Sequence, residues 1–204
     1  MSVYYLDASA AVKGYVAERG SEKVLNLLSP EEGHELYLSR VGVVEIAAAL
    51  FGRVTADEVS LEDARAAVAR LLNEVENTSY RVVELVPATS ERAVEVAERH
   101  FLRAYGCLQL ATALLLQEQR TGRGLEPLTL VSADGRLNAA AEAEGLPVKD
   151  PSGGDLQSPR ADDADEQQQP QEGGDHEADE AEEANAQEAE LALPEDAQDR
   201  RSHD

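Results

Sequence analysis

The sequence predicts an α/β domain, a parallel sheet sandwiched by helices, over residues 1–150, followed by a disordered acidic tail over residues 151–204. Three observations lead there. Short strand-like runs alternate with helical runs from Val3 to Val148. No tight hairpin signal appears between them, so the strands pair in parallel through helical crossovers that cover both faces of the sheet. The composition then changes at Pro151, where aromatic and β-branched residues stop altogether.

The elements follow in order. VYYL at 3–6 is a short strand, ended by Asp7-Ala8-Ser9. AAVKGYVAERG reads as a helix closed by Gly20, and SEKVLNLLS as a second helix capped by Ser21. ELYLS at 35–39 is the next strand. A helix from Val41 to about Arg53 follows, opening with VGVVEIAAAL, an apolar run buried on nearly every side with one charge, Glu45, inside it. In SLEDARAAVARLLNEVEN, Leu61, Ala64, Val68, Leu71, Leu72 and Val75 recur at helical spacing. VVELV at 82–86 is a strand, and TSERAVEVAERHF a helix entered through Thr89 or Ser90. AYGCLQLATALLLQEQ at 104–119 is an apolar helix, LTLVS at 128–132 a strand, RLNAAAEAEG a helix ending in glycine, and LPV at 146–148 a last strand.

Residues 151–204 hold 18 of the 41 acidic residues and 3 of the 18 Lys and Arg, a net −15 against −8 for the first 150. Such a segment buries too little apolar surface to offset its ordering entropy. Its Ala- and Glu-rich run, ADEAEEANAQEAELALP, has the propensity for transient helix but no broad apolar stripe to dock. The single cysteine, Cys107, excludes an intrachain disulfide and a cysteine-based zinc site, which fits a reducing compartment. MSVYYLDASA lacks a basic region followed by an apolar stretch, and no run reaches about 18 apolar residues. The expectation is a soluble, cytoplasmic protein with no membrane role. The acidic balance argues against nonspecific nucleic-acid affinity, which rests on Lys and Arg. It leaves room for an enzyme whose metal ions and local basic residues receive a phosphate.

Three carboxylates stand out by position. Asp7 and Asp134 each sit just past the carboxyl end of a strand, the edge where open α/β sheets bind ligands. Taken singly, each is explained as a helix N-cap, worth about 1 kcal/mol. Glu45 has no such explanation: it lies within two turns of the end of ELYLS, in apolar surroundings that penalise an unpartnered carboxylate. Three acids at one edge call for a shared cation, and carboxylate-only ligands suit Mg²⁺ or Mn²⁺, not zinc.

LDASAAVK at 6–13, SRVGVVEIAAAL at 39–50, LRAYGCLQLATAL at 102–114 and VSADGRLNAAA at 131–141 together resemble the PIN-domain ribonucleases, above all the VapC-like toxins of bacterial toxin–antitoxin pairs. The resemblance spans roughly residues 3–150 and leaves the tail out. It implies a parallel sheet sandwiched by helices, with an acidic cluster that holds one or two Mg²⁺ or Mn²⁺ ions. It also implies cleavage of structured RNA, usually transfer or ribosomal RNA, an antitoxin partner and a homodimer. Asp7, Glu45 and Asp134 occupy positions of that cluster, as catalytic residues and metal ligands alike. Ser9 and Ser132 are then either orienting groups for carboxylates and waters or plain turn hydroxyls. Lys13, Arg40, Arg103 and Arg136 lie near the motif ends, where they either receive RNA phosphates or serve as ordinary surface charges. His34, His100, His176 and His203 fall outside the motifs.

The sequence departs from the pattern at Gly106, where the family normally has an aspartate of the cluster. Gln109, nearby, offers only a neutral oxygen, a poor substitute toward a hard dication. Two function classes follow: a metal-dependent endoribonuclease impaired by Gly106, or a PIN fold that binds antitoxin or RNA without cutting. A weaker third reading makes Asp7 a phosphatase nucleophile, but Ser9 stands where that chemistry usually has a second acid.

Overall fold

The protein is described here by a computed structural model, which covers residues 2–77 and 79–153. The strands are β1 (Val3–Leu6), β2 (Glu35–Ser39), β3 (Arg81–Val83), β4 (Thr129–Val131) and β5 (Val148–Lys149). They form one all-parallel sheet in the order β3-β2-β1-β4-β5. The helices are α1 (Ala8–Ala11), α2 (Ser21–Leu28), α3 (Arg40–Thr55), α4 (Leu61–Glu76), α5 (Pro87–His100), α6 (Ala104–Gly122) and α7 (Gly135–Ala143). Winding runs outward from β1 to β3, then crosses back to β4 on the other side. That reversal puts a crevice at the carboxyl ends of β1 and β4, the usual ligand position in such sheets.

Strand alternation divides the core in two. Val3 and Tyr5 join Leu128 and Leu130 under α5, α6 and α7, with Val96, Leu110, Ala111 and Leu137 among the partners. Leu6 turns to the opposite face, where Leu36, Leu38 and Val131 meet Ile46, Leu50 and Leu71 from α3 and α4. A period of two along β1 thus feeds both layers, as the predicted sandwich requires.

Four local expectations are corrected. The helix predicted through Gly20 ends at Ala11 and continues only as a 3₁₀ turn, Val12–Gly14. Gly14 is pressed against α2, where an added Cβ would lie 2.7 Å from Leu28 Cδ1. Ser21 does not cap α2; the N-cap is Gly20, at φ +91°. Instead the Ser21 hydroxyl accepts from Glu18 N at 2.9 Å and donates to the Val16 carbonyl at 3.0 Å, fixing the preceding loop. β3 stops at Val83, since Leu85 and Val86 are exposed and Pro87 opens the next helix. Finally, α3 is not buried on nearly every side: Val43, Ile46 and Leu50 face the core, while Val44 is 64% exposed.

Packing continues beyond β5. Pro151 is buried against Gly20, and Lys23 Nζ donates to the Gly153 carbonyl at 2.6 Å. The tail predicted as disordered begins at residue 151, so these contacts fall within its first three residues; the remainder, from 154 onward, lies outside the described residues. Among the described residues no helix is long and apolar enough to cross a membrane.

Candidate functional site

Asp7 leaves β1 at its carboxyl end, with its amide still bonded to the Val131 carbonyl of β4 at 2.9 Å. The side chain is buried and caps α1, its Oδ2 accepting from Ser9 N at 3.0 Å and Ser9 Oγ at 2.5 Å. Ser132 Oγ, at 3.3 Å, donates to the same oxygen. Both hydroxyls also serve the turn after β4: Ser9 Oγ accepts from Ala133 N at 2.9 Å and Ser132 Oγ from Asp134 N at 3.0 Å. The two sequence readings of these serines therefore merge, because one pair of hydroxyls orients Asp7 and shapes the turn that carries Asp134. Burial pushes the Asp7 carboxyl above its ordinary range, against the pull of these hydrogen bonds.

Glu45 lies on α3, half-buried between the core stripe and the exposed face. Its partner is Gln109, whose Nε2 donates to the carboxylate. Gln109 is 1% exposed and fully engaged: its Oε1 accepts from Tyr5 OH at 2.6 Å and from Ser39 Oγ at 2.9 Å. Ser39 in turn caps α3 by accepting from Gly42 N at 2.8 Å. Gly42 packs closely here: a Cβ would stand 3.0 Å from Leu38 Cδ1, 3.1 Å from Ser39 Oγ and 3.3 Å from Gln109 Nε2, so these side chains would have to give way slightly. Burial raises the Glu45 carboxyl, the Gln109 bond opposes that, and the Asp7 charge raises it further. Sequence reasoning treated Gln109 as a weak ligand and missed its role. The sequence carries a signal for it: Gln109 shares its face of α6 with Ala113 and Leu116, and an amide on an apolar face needs buried partners.

Asp134 is exposed and caps α7, its Oδ1 accepting from Arg136 N at 2.8 Å and Leu137 N at 3.1 Å. It lines a pocket of about 200 Å³ with Leu102, Arg103, Gly106 and Arg136. Position 106 therefore opens on the same space as Asp134, and a Cβ there would meet only Leu102, at 3.5 Å. Of the other cations, Lys13 is buried against Glu18 at 2.8 Å instead of lying on the surface, and Arg40 pairs with Glu84. His100 bonds Glu144, and His34 packs edge-on to Tyr4, both apart from these carboxylates.

The donor set suits a hard dication in kind but is short in number. Asp7 and Glu45 interact electrostatically, and both are oxygen ligands of the right type. Among the described residues, however, no three His, Cys, Asp or Glu side chains gather closely enough to hold one ion.

The doubly wound parallel sheet, with Asp7 at its switch point, places the chain in the α/β class whose ligand crevices lie at the carboxyl edge of the sheet. Comparison with known families is more specific: the PIN domain model matches residues 4–143, and the chain belongs to that family. Among solved structures, FitAB bound to an IR36 DNA fragment is similar at 15% identity, with a TM-score of 0.52 over 76% of this chain and 99% of that one. A toxin–antitoxin complex from Klebsiella pneumoniae matches at 16% identity and TM-score 0.45, covering 74% and 98% of the two chains. FitAcB from Neisseria gonorrhoeae matches at 17% identity and TM-score 0.47, covering 72% and 97%. At these identities the likeness to FitAB is one of fold. No curated protein sequence matches the chain.

Proposed function

We propose that this PIN domain is a divalent-metal-dependent endoribonuclease of the toxin–antitoxin type, acting on structured RNA such as transfer or ribosomal RNA, with cleavage impaired by Gly106. The observation that carries the reading is the pair Asp7 and Glu45: two carboxylates at the switch point, raised by burial and, for Glu45, by its neighbour's charge. A dication relieves both penalties. Asp7 and Glu45 would hold Mg²⁺ or Mn²⁺; Asp134, which forms no three-acid group with them among the described residues, would have to move closer to join them. When bound, the ion supplies positive charge to phosphate oxygens and acidity to a water. The chain's own share is orientation: Ser9 and Ser132 fix Asp7, and Gln109 fixes Glu45.

The same reading includes an antitoxin partner and a homodimer, both carried over from the family resemblance. An apolar groove of about 440 Å³ between α5 and α6, bordered by Val94, which is 69% exposed, offers surface for such contacts. A second reading, a PIN fold that binds without cutting, is favoured by the lack of a three-acid group among the described residues. Incubation of the purified chain with transfer RNA over a range of Mn²⁺ separates them. Slow cleavage that disappears in Asp7→Asn supports the nuclease. Binding with no cleavage at any Mn²⁺ concentration supports the second reading.

A further inference from the structure

We propose that the pocket between the starts of α6 and α7 binds a phosphate monoester directly, on the guanidiniums of Arg103 and Arg136, without a divalent ion. The usual family acid is missing at position 106, so the pocket has two arginines and one carboxylate among its five lining residues. That local excess of positive charge occurs in a chain of net charge −23. The carboxylate, Asp134, is the group an incoming anion must avoid, and its Oδ1 is drawn toward the α7 amides of Arg136 and Leu137. Arg136 spends Nη2 on the Phe101 carbonyl, at 2.9 Å, which fixes its guanidinium at the pocket while other N–H groups remain for a ligand. Arg103 has no ion-pair partner among the described residues. Gly106 presents no Cβ, and one added there would meet only Leu102 within 4 Å.

Two planar forks are suited to phosphate oxygens, and a monoester carries close to two negative charges at neutral pH. The first turn of α6, which has no side-chain cap, adds partial positive charge from the same side. The ligand chemistry is therefore a terminal phosphate, from either a nucleic-acid end or a free mononucleotide. The pocket shares Asp134 and position 106 with the proposed cleavage site and so extends that reading, but the phosphate contact itself needs neither Asp7 nor Glu45.

The test uses the full chain in EDTA and fluorescence anisotropy of one short 3′-labelled RNA, carrying either a 5′-phosphate or a 5′-hydroxyl. The phosphorylated RNA should bind about tenfold more tightly, the scale of one charge-assisted contact. Inorganic phosphate should compete, and acetate at equal ionic strength should not. Arg103→Ala should erase the preference with an unchanged melting temperature, because that exposed side chain makes no hydrogen bond or ion pair among the described residues. Gly106→Asp should erase it too, by returning a carboxylate to the pocket. A mononucleotide competing as well as the RNA identifies a small phosphate as ligand, and weaker competition identifies the RNA end; either supports the site. Equal affinity for the two RNAs, or a preference that survives Arg103→Ala, overturns it. Cleavage in Mn²⁺ is read separately, so either proposal can fail alone.

Discussion

The buried amide of Gln109 donates to Glu45 while its carbonyl oxygen is held by Tyr5 and Ser39. The amide cannot turn its oxygen toward Glu45 without losing both hydroxyl donors and facing one acceptor with another. Glu45 thus has a neutral partner in the fold, which reduces the cost of its position without cancelling its charge.

Replacing Glu45 by Gln keeps an oxygen that accepts from Gln109 Nε2 and removes a charge that burial penalises. The variant should match or exceed the native melting temperature in EDTA. It should also lose most of the stabilisation that Mn²⁺ gives the native chain, since that gain scales with occupancy of the folded state. Equal destabilisation with and without Mn²⁺ would show that Glu45 supports the fold and holds no ion.

Asp7 supplies a pH dependence of defined sign. Its folded carboxyl titrates above its ordinary value of 3.8, so through that window the folded chain holds a proton that the unfolded chain has lost. Native stability contributed by this group is therefore present below the window and lost as pH rises through it, by about 1.4 kcal/mol for each pH unit of its width. Glu45 acts in the same sense. Glu18, which burial alone would raise, is held down by Lys13 and Arg53 and acts oppositely, losing stability as pH falls. The comparison that isolates Asp7 is native chain against Asp7→Asn in EDTA from pH 4 to 8. The native melting temperature should fall relative to the variant as pH rises, and Mn²⁺ should recover it at neutral pH. A constant difference would remove the assignment.

What the sequence disclosed, and what it hid, follows from the range of each interaction. The alternation of Val3, Tyr5 and Leu6 between two layers is local and periodic, so strand, sheet and sandwich were legible. Asp7 and Asp134 were legible as caps because a cap bonds within three residues. The failures were non-local. The predicted first helix stops at Ala11, and the glycines that follow it, Gly14 and Gly20, lie against Leu28 and Pro151 from elsewhere in the chain. Gln109 meets Tyr5 across 104 residues, a pairing that only the fold brings about. The exposed side of α3 was hidden for another reason: Val44 is apolar, and apolar residues are common on protein surfaces.

Truncation tests where the domain ends. Cutting after Gly153 removes residues with net charge −15 and none of the described contacts. That variant should keep the native melting temperature. Cutting after Asp150 also deletes Pro151 from its seat on Gly20, together with the Lys23–Gly153 bond, and should cost about 1–2 kcal/mol. Removal of the polyanion should further tighten RNA binding, most at low salt. A chain ending at Gly153 that fails to fold would overturn the domain assignment, whereas unchanged RNA affinity would dismiss only the electrostatic effect.

Gly106→Asp tests the departure itself. The fold should accept the change, because Gly106 has an ordinary helical backbone and an added Cβ meets Leu102 at 3.5 Å, a normal contact. From the sequence alone, a further acid near three others would be expected to destabilise the metal-free fold. The structure reverses that sign. Position 106 is the third residue of α6 and shares its pocket with Arg103, Arg136 and Asp134, so an acid there meets two cations and a helix N-terminus against one carboxylate whose Oδ1 is already held by the α7 amides. Loss of glycine from the helix and the favourable dipole each contribute a few tenths of a kcal/mol to about 1 kcal/mol, so the variant should melt slightly higher in EDTA. In Mn²⁺ the gain should grow, with tighter metal binding and faster RNA cleavage than the native chain. Unequal metal affinity with no cleavage by either protein would locate the ion at position 106 and leave the protein a binder. Equal, substantial cleavage by both would mean that Asp7, Glu45 and Asp134 suffice and that Gly106 impairs nothing.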